Sequence, residues 1–266
     1  DGFMGWLVRY APRPSWRAAQ IFFVWHAVLL LLNAVVPGRT GYGLKTPAGN
    51  RLRYRVNGLG VLVTSHLFLL GIVKAGWVSM SEAADHVAEV FAVGSLFGYA
   101  LSILAYGKAH MSPTHREDRK FSGSSVFDFL MGIELNPRIG NFDFKLFYIG
   151  RLGMISWSAM NLSFAARQFQ QFGFVSNSMV LSILLQFIYI LDFFIHEDWY
   201  LRTIDIGHDH FGWYLAWGDC AWLPMVYTSE AMFLSSRPDQ VSTLTIVVIL
   251  GLGFFAYLLF RLINNQ

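Results

Sequence analysis

The sequence predicts an all-α fold, a polytopic transmembrane helical bundle with about seven spans that forms a single membrane domain over residues 1–266. Its residues are 55% hydrophobic and only 14% charged, whereas about a quarter of the residues in a soluble domain are charged. Five stretches contain no Asp, Glu, Lys or Arg, namely 18–38, 56–73, 90–107, 168–191 and 240–260. Each stretch is close to the roughly 20 residues that a helix needs to cross a bilayer. A soluble bundle would interrupt such stretches with a polar face.

The hydrophobic pattern places the seven spans at about 16–36, 59–76, 87–106, 144–164, 178–195, 211–233 and 242–260. Pro37 and Gly38 end the first span, and a glycine-rich loop follows. The sixth span contains Gly212, Gly218, Asp219 and Pro224, and this composition predicts a kinked or broken helix.

Composition also limits the class of protein. The single Cys220 excludes an internal disulfide framework. A net charge of +3, with basic residues clustered in loops, fits membrane orientation better than nucleic-acid binding. The predicted surroundings are therefore membrane lipid, with no nucleic acid. Because the chain opens on Asp1 and stops directly after an apolar run, we expect it to be a fragment.

The most informative segment runs from Trp199 to Thr228, where three Asp, two His, four Trp and three Tyr lie among apolar residues. Ionisable groups are costly at membrane depth, so a concentration of them predicts a functional site. A histidine beside a carboxylate, as in His208-Asp209, is a common general-acid pair. Tyr214 is a further possible proton donor.

Two alternatives apply within this segment. His208, Asp209 and His210 are rich in metal-ligand atoms, but their spacing does not place two imidazoles on one helix face. No other His or Cys cluster supplies further nitrogen or sulfur ligands, so no metal is predicted. Trp213, Trp217 and Trp222 would share one helix face, where they form either an interfacial aromatic belt or a contact surface for a flat apolar ligand.

Three charged residues outside the segment also allow two interpretations. Glu134 is either a buried acid or part of an interfacial turn whose charges pair with each other, and Arg138 either binds an anion or belongs to that turn. Arg151 lies within an apolar stretch, where it either reaches the interface or pairs with Asp143 or Asp192.

Three blocks identify a resemblance that covers nearly the whole chain. They are DFLMGIELNPR at 128–138, NLSFAARQ at 161–168 and TIDIGHDHFGWYLAWGDCAWLPMVYT at 203–228. They closely resemble the sterol reductase family, which includes C14, Δ7 and C24(28) sterol reductases. His210, Trp213, Tyr214 and Trp217 are similar to the 7-dehydrocholesterol reductase type, because C14 reductases tend toward HDGFGFMLAFGD in this block. The run NPRIGNFDFKLFYIGR, which ends at Arg151, points the same way.

The resemblance implies an oxidoreductase of sterol and cholesterol biosynthesis in the endoplasmic reticulum membrane, where NADPH reduces the C7=C8 double bond of a 5,7-diene sterol. The alternatives are C14-sterol reduction and a non-catalytic sterol-binding module. We expect the catalytic residues to be Asp205, His208, Asp209, Tyr214 and Asp219. The expected sterol contacts are Trp213, Trp217 and Glu134, and the expected cofactor contacts are Arg138 and Arg151.

Family members continue past this point with a segment that contributes much of the NADPH site. None of its characteristic blocks occurs in these 266 residues. We therefore expect the main cofactor site to lie in the absent segment, and this polypeptide not to turn over on its own.

Overall fold

The computed structural model describes residue 2, residue 5 and residues 9–264. Its α-helices are α1 (Trp16–Val35), α2 (Gly58–Lys74), α3 (Glu82–Asp85), α4 (Val87–Met111), α5 (Ser125–Met131), α6 (Phe144–Leu146), α7 (Met154–Phe172), α8 (Asn177–Ile195), α9 (Glu197–Tyr200), α10 (Ile204–Gly207), α11 (Trp213–Trp217), α12 (Leu223–Val226), α13 (Ser229–Ser236) and α14 (Thr243–Asn264). Two π-helical segments join neighbouring α-helices, π1 (Phe147–Gly153) between α6 and α7, and π2 (Gly218–Trp222) between α11 and α12. The strands are β1 (Arg39–Lys45), β2 (Arg51–Val56), β3 (Arg138–Ile139) and β4 (Phe142–Asp143).

Four helices, α1, α4, α8 and α14, are long and apolar enough to cross a membrane. They coincide with the predicted first, third, fifth and seventh spans. Helix α2 is apolar but has only 17 residues. The predicted fourth and sixth spans are helical, but α7 buries polar side chains such as Ser156 and Asn161. The membrane helical fold is therefore confirmed, whereas a total of seven spans is not.

The predicted sixth span is interrupted, as its glycines and proline indicated. Helices α11 and α12 flank the π-helical segment π2, and a turn at Tyr227 and Thr228 separates them from α13. Pro224 lies in the first turn of α12, where its missing N–H is tolerated. A π-helical turn widens the helix locally, and such turns are frequent at functional sites.

The predicted loop after Pro37 contains a β-hairpin, so the expectation of an entirely helical chain is wrong in this segment. Strands β1 and β2 pair antiparallel. Along β2 the buried residues Leu52, Tyr54 and Val56 alternate with exposed arginines. This period of two is typical of a strand with one buried face, and it was present in the sequence RLRYRV. The hairpin packs against Leu201, which lies 2.8 Å from the position that a Cβ on Gly41 would occupy.

Helix α4 contacts α1, α11 and π2, and two of its glycines allow the close approach. A Cβ on Gly98 would lie 2.8 Å from Trp217 Cα, and one on Gly94 would lie 2.7 Å from the Cys220 carbonyl oxygen. Backbone atoms cannot move aside as a flexible side chain does. The glycines of α4 therefore determine how closely α4 can pack against the broken helix, which consists of α11, π2 and α12 (residues 213–226).

We expect Gly98→Ala to destabilise the protein by about 1–3 kcal/mol, the usual cost of overpacking. Gly107→Ala is the matched control on the same helix, because its added Cβ would meet only the Met111 side chain at 3.6 Å. In the control, the higher helix propensity of alanine should stabilise the protein by up to about 1 kcal/mol. Equilibrium unfolding in detergent, followed by tryptophan fluorescence, compares the two variants. Equal stabilities would contradict the proposed close packing.

Candidate functional site

The site is built on the segment between α9 and α11, and a lysine buried beneath it holds this segment in place. Lys145 has no exposed surface. Its ammonium donates to the carbonyl oxygens of Ile206 at 2.8 Å and Asp209 at 2.6 Å. Asp205 and Asp143 also lie close enough to interact electrostatically with it. This buried lysine therefore fixes the path of the backbone at Ile206 and Asp209, with the carboxylates of Asp143, Asp205 and Asp209 close by.

Two tyrosine–aspartate pairs lie next to this lysine. The Tyr200 hydroxyl donates to Asp205 Oδ2 at 3.1 Å. The Tyr214 hydroxyl hydrogen-bonds to the Asp209 carboxylate. Burial, together with the nearby Asp205 carboxylate, raises the pKa of Tyr200 above its usual value. Its hydroxyl therefore keeps its proton and acts as a donor at neutral pH.

Asp219 completes the acidic constellation from π2. Its side chain is 7% exposed, and Oδ2 has no hydrogen-bond partner within the described part of the chain. Asp205 interacts with it electrostatically, and so does Tyr214. A buried carboxyl oxygen without a partner is costly, so it indicates a position at which a ligand or a proton completes the network. The structure thus brings together Asp205, Asp209, Tyr214 and Asp219.

The two histidines of the segment are placed differently. His208 is exposed at the surface of the chain, and the hydroxyl partner of Asp209 is Tyr214. His210 is partly buried, and burial lowers the pKa of its imidazole, which favours the neutral form. No group of three or more His, Cys, Asp or Glu among residues 9–264 is arranged to hold a metal ion.

The three tryptophans of the broken helix share one face, as predicted from their spacing. Trp213 stacks on Trp217 with ring centroids 5.1 Å apart and an interplanar angle of 13°. The rings of Trp217 and Trp222 are 5.9 Å apart. Tyr99 of α4 extends this aromatic strip beyond Trp213, at 5.8 Å. The strip offers a flat apolar surface one helical turn away from Asp219.

Glu134 and Arg138 take part in internal interactions. Both Glu134 carboxylate oxygens accept from Lys108 Nζ at 3.0 Å, and Oε2 also accepts from the Thr114 backbone N–H at 2.8 Å. Arg138 Nε donates to Asp143 Oδ2 at 2.7 Å, and its guanidinium lies over the Tyr54 ring at 4.5 Å. The charges of this turn therefore pair with Lys108 and Asp143, whereas Arg138 Nη2 has no hydrogen-bond partner among the described residues. The expected sterol contact of Glu134 and cofactor contact of Arg138 stay predictions.

Arg151 is paired with neither Asp143 nor Asp192. Its Nη2 lies 2.6 Å from Glu197 Oε1 and 2.8 Å from Asn57 Oδ1. The arginine is 1% exposed and the glutamate is fully buried. This ion pair ties π1 to α9, and the expected cofactor contact of Arg151 stays a prediction.

Sequence reasoning missed Lys145 as a component of the site. It lies in the run FDFKLFYIGR, where a single lysine is surrounded by aromatic and aliphatic residues. Lysine is almost never fully buried unless it is paired. An isolated lysine at the start of an apolar helix was therefore the sequence feature that could have indicated a buried, paired Lys145.

Comparison with known proteins identifies several relatives of the chain. A 7-dehydrocholesterol reductase of Danio rerio is 44% identical over 269 residues, with 96% of this chain and 56% of the relative aligned. A 7-dehydrocholesterol reductase of Xenopus laevis is 42% identical, with 96% and 57% aligned. A Delta(14)-sterol reductase of Methylotuvimicrobium alcaliphilum is 37% identical, with 95% and 58% aligned. The chain therefore spans a little more than half the length of these relatives.

Residues 4–266 match the Ergosterol biosynthesis ERG4/ERG24 family. The match covers nearly the whole chain and includes the acidic segment, the aromatic strip and the buried lysine described above. The chain belongs to the Ergosterol biosynthesis ERG4/ERG24 family of sterol reductases.

Proposed function

We propose that the protein reduces the C7=C8 double bond of 5,7-diene sterols, a reaction of the 7-dehydrocholesterol-to-cholesterol type, in the endoplasmic reticulum membrane. The observation that carries the proposal is the constellation of the half-buried Asp205, Asp209 and Tyr214 with the buried Asp219, beside the buried Lys145. The two 7-dehydrocholesterol reductases at 42% and 44% identity support the Δ7 specificity.

The chemistry explains why such a constellation is needed. No carbonyl activates the C7=C8 bond, so direct hydride attack is difficult. A proton added at C8 leaves a cation at C7 that the adjacent C5=C6 bond stabilises, and a hydride then adds at C7. A positioned proton donor is the part that this chain would supply.

Within the constellation, we assign proton delivery to the pair of Tyr214 and Asp209. Tyr214 hydrogen-bonds to the Asp209 carboxylate, and Lys145 donates to the Asp209 backbone carbonyl and so holds this partner in place. Asp219 adds a buried carboxyl group that interacts electrostatically with Asp205 and Tyr214. Trp213 and Trp217 provide the flat surface on which sterol rings would pack. His208 is exposed and directly precedes Asp209 in the sequence, so we assign to it the resupply of the proton to the donor pair.

NADPH is the hydride source that the family resemblance suggests. Of the two arginines expected to contact it, Arg138 is paired with Asp143 and Arg151 with Glu197, and one guanidinium nitrogen of each has no hydrogen-bond partner among the described residues. A dinucleotide needs basic side chains that are free to reach its phosphates. The part of the reaction proposed here for the described residues is binding the sterol and moving the proton.

A second candidate function is reduction of a Δ14 double bond. The Delta(14)-sterol reductase at 37% identity aligns with the same segment of the chain. The residues that favour Δ7 are His210, Trp213, Tyr214 and Trp217, in the part of the site where the two types differ.

We expect Asp209→Asn and Tyr214→Phe each to lower Δ7 reduction by about 100-fold or more, because a positioned general acid contributes about 10²–10⁴-fold. Tyr42→Phe is the control, since Tyr42 is 48% exposed on β1 and should leave the rate unchanged. Gas chromatography–mass spectrometry would follow a 5,7-diene sterol supplied with NADPH to membranes that carry the natural protein at its full length.

Full activity in both site variants would overturn the assignment of the donor pair. Reduction of a Δ14 substrate alone would retain the family and overturn the Δ7 proposal. A protein that binds sterol but reduces neither substrate would instead support a non-catalytic sterol-binding module.

A further inference from the structure

A second site lies away from the acidic constellation, in a cavity of about 380 Å³ between α1, α2, α7 and the broken helix. Its walls are almost entirely apolar. They include Phe22, Trp25, Phe68, Met160, Cys220 and Met225. The volume falls within the range of about 300–1,000 Å³ that is typical of small-molecule sites.

The polar groups on the inner wall of this cavity already have partners. Ser156 Oγ accepts from Trp25 Nε1 at 3.0 Å. Ser163 Oγ accepts from the Ala84 backbone N–H at 2.9 Å. The interior therefore presents little that would hold water, and apolar cavities without polar partners stay dry. An empty apolar cavity of this size deprives its walls of dispersion contacts, so an apolar occupant is favoured.

The mouth of the cavity, in contrast, is polar. Arg17 Nε and Glu82 Oε1 are 2.7 Å apart there and both are partly exposed. Ser79 lies beside them and accepts a hydrogen bond from Gln170 Nε2 at 3.0 Å. The Glu82 carboxylate lies between the Arg17 guanidinium and the His86 imidazole, whose Nε2 is 3.7 Å from Oε1. Because these groups are already paired with one another, the mouth suits a neutral hydroxyl group, which can donate to the carboxylate and accept from the guanidinium. A phosphate or carboxylate head group would have to displace Glu82 from Arg17.

The mouth and the acidic constellation lie at opposite ends of α1. Arg17 is in the first turn of this 20-residue helix, whereas Leu201 contacts the hairpin that follows its last turn. A helix of that length is about 30 Å long. The cavity is therefore distinct from the proposed proton-delivery site, although Cys220 in its inner wall is adjacent to Asp219 in the chain.

We propose that this cavity binds a 3-hydroxysterol, with its hydroxyl at Arg17, Glu82 and Ser79 and its ring system against the apolar walls. A rigid neutral molecule with one hydroxyl group matches both the charge balance of the mouth and the dry interior. The sterol class of this ligand rests on the proposed function, but the site itself is inferred from the cavity and is tested by binding.

The test uses a photoreactive 3-hydroxysterol and the natural protein in its membrane, followed by mass spectrometry of the labelled peptides. We expect labelling of peptides from α1 and α7. Ala159→Trp, which fills the cavity from α7, should lower this labelling at least tenfold. Leu31→Trp is the matched control on the exposed face of α1, because Leu31 is 61% exposed, and it should leave labelling unchanged.

A second measurement does not depend on the folding of a filled cavity. An excess of 3-hydroxysterol should compete with the label at least tenfold better than its 3-deoxy analogue, and Arg17→Met should reduce that preference. Equal competition by the two compounds, or equal competition by a phospholipid, would overturn the proposed role of the mouth. Labelling that maps only to Trp213 and Trp217 would overturn the cavity as the site.

Repeating the labelling with Asp209→Asn separates this proposal from the proposed function. Labelling that persists in this variant after loss of reduction supports a sterol site independent of proton delivery. Full reduction by the natural protein without cavity labelling would leave the proposed function intact and overturn this inference alone.

Discussion

Replacing Arg151 by Met is expected to lower the free energy of unfolding by about 3–5 kcal/mol, the usual cost of removing one partner from a buried ion pair. The guanidinium is 1% exposed and lies 2.6 Å from Glu197. The other carboxylate oxygen of Glu197 accepts from the Gly58 backbone N–H at 2.7 Å. Without Arg151, the buried carboxylate would keep only part of its stabilisation. Equilibrium unfolding in detergent, followed by tryptophan fluorescence, measures the loss.

The chain offers a matched exposed pair as the control. Arg39 and Asp198 are 3.0 Å apart, with their side chains 62% and 48% exposed. Arg39→Met should cost at most about 1 kcal/mol, as surface ion pairs do. The double variant Arg151→Met with Glu197→Gln should recover part of the stability lost in Arg151→Met, because no uncompensated charge remains buried. Equal losses for Arg151→Met and Arg39→Met would show that the buried pair contributes no more than a surface pair.

Arg151 also shows what sequence reasoning could and could not predict. Its position inside an apolar stretch predicted a partner, since an unpaired charge there is too costly. The identity of that partner, Glu197, depends on how π1 packs against α9, and local sequence patterns do not determine a contact between residues 46 positions apart. The spacing of the tryptophans, in contrast, is a local property of one helix, and their shared face was predicted correctly.

The hairpin of β1 and β2 illustrates a different kind of error. The alternation of arginine and apolar residues in RLRYRV indicates a strand, yet the glycines before it favoured a loop. The buried face of the hairpin depends on residues distant in sequence, because Leu201 packs against β1 and Arg138 lies over Tyr54 of β2. Similarly, the acids between Asp205 and Asp219 were identified from their cost in a membrane, but the cation that holds them together lies 60 residues or more away in sequence.

Replacing that cation, in Lys145→Met, is expected to lower sterol reduction by about 100-fold and the free energy of unfolding by about 3 kcal/mol. A hydrogen bond to a charged group contributes roughly 1.5–3 kcal/mol, and Lys145 donates two, to Ile206 and Asp209. Methionine retains the length and volume of the apolar part of the side chain but leaves both carbonyl oxygens without a donor. Asp209 would then shift, and a displacement of about 1 Å can cost 10²-fold in rate.

Lys145 contacts the backbone of the acidic segment, so its role is to position that segment. A kinetic measurement separates this role from a general loss of folding. The decrease should fall on kcat, because the aromatic strip at Trp213 and Trp217 does not touch Lys145 and sterol affinity should be retained. Lys74→Met, at an exposed position at the end of α2, should change neither quantity. If Lys145→Met remained monodisperse in detergent with an unchanged kcat, the buried lysine would not determine the geometry of proton delivery, and Tyr214 and Asp209 would have to be held by the packing of α11 alone.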